Sequence, residues 1–214
     1  LIADISAAYG VPCYRCLTGF KWIADIINHK PEEQFLVGGE ESYGYLIGDA
    51  VRDKDAVASA VMIAEMAANA KSQGRTVLQQ LEAIHREFGQ YQERLISITK
   101  KGRSGAQEIA DMMTALRNDP PKTLAGSPVV IAIDHNNSTQ TDLRTGATSS
   151  TALPASNVLQ FITEAGDKVS ARPSGTEPKI KFYFSVRATT GDSHAATKAE
   201  LERKIDTFIE ELNL

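Results

Sequence analysis

Cysteine is nearly absent from this chain: among 214 residues only Cys13 and Cys16 carry thiols. A structural zinc site wants four ligands, and the C-x-x-C pair has no second pair to complete one. A redox dithiol usually opens a helix, which lowers the thiol pKa. Here the pair lies within Val11 to Leu17, which reads as a strand, so the expectation is two reduced, buried thiols in a reducing, cytoplasmic setting. Long apolar runs are also missing. No stretch approaches the roughly 20 residues of a membrane span, and no signal peptide is visible. Positive charge is not in excess: 23 Lys and Arg stand against 27 Asp and Glu, a formal net charge of −4. That balance speaks against a nucleic-acid or anionic-membrane binder, so an anionic ligand needs a local cationic spot. No internal repeat or low-complexity run appears.

What is present is globular: 42% hydrophobic and 23% charged residues. The chain opens on Leu1 inside a helical pattern, which suggests a piece of a longer protein. A helix to Tyr9 stops at Gly10, the strand 11–17 follows, and Trp22, Ile23, Ile26 and Ile27 mark one face of a second helix. Gln34 to Val37 reads as another strand, so residues 1–98 are expected to form an α/β domain with a mixed or parallel sheet. Ala56 to Ala70 is apolar nearly all round, which predicts burial. The basic run Lys100 to Gly105 reads as a linker and hinge. Residues 99–214 are expected to be an α+β domain. Asn157 to Thr163 pairs there with Lys168 to Ala171, the Ile180 to Val186 strand follows, and helices cover one face.

Two stretches carry the chemistry. Arg172-Pro-Ser-Gly-Thr-Glu-Pro-Lys179 packs a guanidinium, two hydroxyls and an ammonium between prolines. Gly175 permits positive φ, which would let successive N–H groups converge on an anion. The residues fit a rigid cradle for a phosphate monoester, and equally a polar Pro/Gly turn. Gly39-Glu40-Glu41-Ser42 follows a strand, where α/β layers contact ligands. Its carboxylates and hydroxyl suit sugar hydroxyls, or simply solvate a turn.

Together, Gly39-Glu40-Glu41-Ser42-Tyr43-Gly44 and the Arg172–Lys179 stretch resemble the α-D-phosphohexomutase family, the phosphoglucomutases and phosphomannomutases. The resemblance covers nearly the whole chain, as most of a third domain plus a fourth out of four. It implies that Glu40 and Ser42 grip hexose hydroxyls in either of two orientations. It implies that Arg172, Ser174, Gly175 and Thr176 hold the non-reacting phosphate, with Lys181 as a second cation. Thr18, Gly19 and Lys21 match a T-G-F-K turn at the edge of the site, and Lys54 matches a lysine lining the cleft. Read without the resemblance, Lys21 and Lys54 are solvated surface charges.

Many phosphomannomutase-like members carry glycine directly after the serine, whereas Tyr43 stands here, which is closer to the phosphoglucomutase branch. Glucose, mannose and pentose phosphates all stay open as substrates. The family's catalytic serine in Ser-His-Asn-Pro and its D-G-D magnesium loop do not occur in the chain. Asp53-Lys54-Asp55, the only D-x-D, sits at a helix start where carboxylates cap. The resemblance therefore implies Mg2+ and a glucose 1,6-bisphosphate-type intermediate in a full-length enzyme. The missing amino-terminal domains would be this chain's partner, and the chain alone would be inactive. A non-catalytic phosphosugar-binding module is the alternative.

Overall fold

The computed structural model describes residues 1–40, 43–100, 102–189, 191 and 193–214. It divides into two compact units, Leu1–Glu87 and Phe88–Leu214. The sequence-based boundary after residue 98 is therefore displaced. The residues between the two positions form a strand that pairs with the carboxy-terminal sheet along its whole length.

In the first unit, α1 (Ile2–Ala8) and α2 (Phe20–His29) precede β1 (Val37–Gly39) and β2 (Tyr45–Ile47), and α3 (Ala56–Ser72) and α4 (Val77–Phe88) follow. Gly74, at φ +69°, ends α3: the Arg75 N–H reaches the Ala70 carbonyl at 2.9 Å and the Gly74 N–H reaches that of Lys71 at 3.0 Å. Asp55 caps the start of α3 through the N–H groups of Val57 and Ala58, both at 3.0 Å. A small core gathers Phe20, Ile23 and Leu46, with Ile27 and Phe35 against it.

Four expectations change here. Residues 11–17 form no strand, since no partner strand exists for them among the described residues. The segment is instead tied by side chains: the Tyr14 hydroxyl donates to Glu33 at 2.7 Å, and the Lys30 ammonium lies 4.4 Å above the Tyr14 ring. The thiols are free, as expected, but Cys13 is exposed and Cys16 only half-buried. The single pairing in this unit among the described residues, β1 with β2, is antiparallel rather than parallel. Helix α3 is not buried either. Val57 is 76% and Ile63 54% exposed, and only Ser59 and Ala70 of the helix are enclosed. An all-round apolar helix signals that it needs cover, and no described element of its unit supplies that cover.

The second unit runs β3 (Gln90–Thr99), α5 (Gly102–Asn118), β4 (Thr123–Leu124), β5 (Ser127–Asp134), β6 (Thr139–Asp142), β7 (Thr148–Ser150), β8 (Leu159–Thr163), β9 (Lys168–Pro173), β10 (Lys179–Ala188) and α6 (His194–Glu211). The strands lie in the order β3-β10-β9-β8-β5-β6-β7, with β4 beside β5, and every pairing is antiparallel. The α/β-then-α+β class thus stands. Alternation along β10 builds the core, because Ile180, Phe182, Phe184 and Val186 are all buried. They pack with Ile109 and Met113 of α5 and Leu201, Ile205 and Phe208 of α6, so both helices cover the same face. Phe208 meets Phe184 edge-on, with centroids 6.4 Å apart.

The stretch 100–105 is not an interdomain linker where it is described. Lys100 follows β3 directly, its N–H donating to the Pro178 carbonyl at 2.9 Å, and residues 102–105 are the first turn of α5, while residue 101 lies outside the described residues. Further along the same unit, β6 and β7 form an antiparallel hairpin.

Candidate functional site

Gly39 ends β1, and the Glu40 N–H beyond it donates to the Gly44 carbonyl at 3.0 Å. Glu40 points inward, its side chain 9% exposed. Its Oε1 accepts from the Gly19 N–H at 2.5 Å, at the start of α2, and its Oε2 lies 3.7 Å from Lys54 Nζ. That ammonium also sits 4.4 Å from the centre of the Phe20 ring. Burial, and secondly the Glu40 carboxylate, push the Cys16 thiol up from its ordinary pKa.

Of the predicted residues in this unit, the fold brings Gly19, Glu40 and Lys54 together. Lys21 turns aside to lie 4.8 Å over the ring of Trp22, and Thr18 is exposed. Ser42 lies outside the described residues. Tyr43 stands at φ 64°, a left-handed conformation that glycine adopts far more easily. Phe20 was not singled out from the sequence, although an aromatic within T-G-F-K is a natural platform for a cation.

In the second unit, Arg172 and Pro173 end β9, and Arg172 lies directly opposite Lys181 on β10. Strand parity places both on the face away from the core, since the adjacent pair is Ile180 with Pro173 and Ile180 is fully buried. Both are half-buried, and among the described residues neither has an ion-pair partner. Lys179 does have one, Glu177 at 3.3 Å. Two uncompensated cations side by side repel each other, so the position favours a bound dianion.

The loop differs from the predicted cradle. Gly175 does not take positive φ, and a Cβ built on it meets nothing within 4 Å. The N–H groups of Thr176 and Glu177 converge on the Ser174 hydroxyl, at 3.3 and 3.2 Å, so serine itself fills the turn. A cavity of about 490 Å³ lies behind the loop on the α5 side, lined by Ala106, Ile109, Met113, Ser174 and Glu177 among others. Arg172 and Lys181 do not line it.

Among the described residues no group of three or more His, Cys, Asp or Glu is placed to hold a metal. No residue here is assigned to magnesium. Nor is any described helix long and apolar enough to cross a membrane.

Residues 1–88 match the family description "Phosphoglucomutase/phosphomannomutase, alpha/beta/alpha domain III". Over 187 residues the chain is 38% identical to a phosphoglucomutase of Staphylococcus epidermidis, covering 87% of this chain and 34% of that protein. It is 39% identical over 187 residues to a probable phosphomannomutase of Haemophilus influenzae, with the same coverage. An open-form crystal structure of the exocytosis-sensitive phosphoprotein pp63/parafusin (phosphoglucomutase) from Paramecium shares the fold. Its TM-score is 0.67 at 18% identity, over 99% of this chain and 35% of that one. The chain belongs to the phosphoglucomutase/phosphomannomutase family and corresponds to its carboxy-terminal portion. It spans about a third of the length of the curated relatives it matches.

Proposed function

We propose that this chain supplies the substrate-recognition half of a phosphohexomutase, which interconverts hexose 1-phosphate and hexose 6-phosphate. In this reading Arg172, Lys181 and the Ser174–Thr176 loop hold the phosphate that is not being transferred. Glu40, with Lys54 beside it, and Ser42 read the sugar hydroxyls, with the Thr18–Lys21 turn at the edge. The phosphoryl donor is a serine in a part of the polypeptide outside this chain, and magnesium is held there too. Transfer to the sugar gives a glucose 1,6-bisphosphate-type intermediate, which turns round and returns its other phosphate. Such chemistry is mostly positioning and charge stabilisation, so binding residues govern much of the rate.

The observation that carries this reading is the Arg172–Lys181 pair, two half-buried cations with no carboxylate partner among the described residues. Hydrogen bonds to a charged group contribute about 1.5–3 kcal/mol each, enough for this pair to dominate phosphate affinity. The exposed apolar flank of α3 suits a chain that packs against further polypeptide.

The test is a titration of the 214-residue chain with glucose 6-phosphate, followed by amide NMR. Weak binding is expected, with shifts concentrated at residues 172–181 and lost in Arg172→Ala. No turnover of glucose 1-phosphate is expected. Identical titrations of wild type and Arg172→Ala would sink the phosphate assignment, and turnover by this chain would sink the division of labour.

A further inference from the structure

Lys54 is anchored at its backbone and at its ammonium, although its side chain is 51% exposed. Its backbone N–H donates to Asp53 Oδ1 at 2.7 Å, and the next N–H, of Asp55, reaches the Tyr45 carbonyl at 2.8 Å. Its ammonium lies 3.5 Å from Asp53 Oδ1, 3.7 Å from Glu40 Oε2 and 4.4 Å from the centre of the Phe20 ring. The stem between these anchors crosses directly over Gly44. A Cβ added at Gly44 would stand 2.8, 2.9 and 3.0 Å from the Cε, Cδ and Cγ atoms of Lys54. Gly44 is itself buried, and its carbonyl accepts the Glu40 N–H at 3.0 Å.

The geometry points to Gly44 as a positioning residue: its missing side chain is the slot that seats the Lys54 stem and brings the ammonium to Glu40. The inference rests on the reading of Glu40 and Lys54 as sugar-site residues only for its consequence in binding. The usual reason for a glycine does not apply, because Gly44 is not in the left-handed region and alanine is not strained there by the backbone. The atoms in the way belong to the outer part of a flexible side chain, which can swing out without moving the fold. Gly44→Ala therefore displaces the lysine rather than unfolding the unit. Glu40 then keeps the Gly19 N–H but loses its cation, and Lys54 loses the ring beneath it.

The experiment uses the 214-residue chain with NMR of the lysine side chains, Lys54 being assigned by its disappearance in Lys54→Met. In the wild type the Lys54 ε-methylene protons resonate upfield, shielded by the Phe20 ring. In Gly44→Ala they move to the shift of the exposed lysines while the melting temperature holds. A folded Gly44→Ala whose Lys54 resonance stays in place would overturn the inference. Should Gly44→Ala melt early, Lys54→Ala in the same chain restores the melting temperature if the stem is the obstacle. Failure of that rescue overturns the inference as well. A second arm measures glucose 6-phosphate affinity, expected to fall about two- to fivefold in Gly44→Ala. A displaced lysine with unchanged affinity leaves the slot intact and instead removes Lys54 from the sugar site.

Discussion

Arg144 folds back on Asp142 in the turn between β6 and β7, donating from its backbone N–H at 2.9 Å, from Nε at 3.2 Å and from Nη2 at 2.8 Å. These bonds hold the Asp142 carboxyl at a pKa of about 2. An unfolded aspartate titrates near 3.9, so the folded value is depressed. The stabilisation is accordingly complete above about pH 4 and is lost as pH falls through 2. A carbon-detected titration of Asp142 is expected to show its midpoint near 2 and a return toward about 3.9 in Arg144→Ala. An unmoved midpoint in the variant would mean that the arginine is not the cause. Nothing in the sequence marked this pair, because a short polar turn has no periodicity to read. Arg172 and Glu40 are singled out by the sequence for the opposite reason: each sits in a motif whose residue types are already chemical. What Ser174 and Lys21 do was not legible, because which way a polar side chain turns depends on neighbours distant in sequence.

At the level of elements, amphipathic pieces were read well and partnerless ones poorly. The alternation of β10 and the stripe of α6 each name their own buried face. Residues 11–17 have strand-like composition, yet a strand exists only when another strand pairs with it. Helix α6 is fixed by more than its apolar stripe. Lys204 Nζ reaches Asp167 Oδ2 at 2.6 Å in the β8–β9 turn, where that carboxylate is fully buried. The other oxygen, Oδ1, accepts the Arg187 N–H at 3.0 Å. Lys204 is half-buried, and removing it strands the fully buried Asp167 carboxylate. Lys204→Met is expected to cost about 3–5 kcal/mol in urea unfolding. Asp167→Asn together with Lys204→Met should recover part of that loss. A single variant within about 0.5 kcal/mol of wild type would show that the pair is decorative.

Across the molecule, stability is concentrated in the second unit. Its core joins Phe182, Phe184 and Phe208 to a dozen other buried side chains, whereas the first unit encloses Phe20, Ile23 and Leu46. Amide exchange is therefore expected to be slowest in β8, β9 and β10 and fastest in α1 and α3. Equal protection of α3 and β10 in this chain would contradict that ordering. The domain boundary was misplaced for a physical reason. Tyr91 to Thr99 reads as extended from the sequence, but that says nothing about which sheet will accept it.

That strand's acceptance has a temporal consequence. Every pair between β3 and β10 joins the first strand of the second unit to its last. While the chain is being synthesised, β3 waits as an open edge until nearly all of the unit has emerged. Closing so distant a pairing is slow, and an open strand meanwhile invites the wrong neighbour. Polypeptides cut short before Lys179 should therefore fail as aggregates rather than persist as smaller folded proteins.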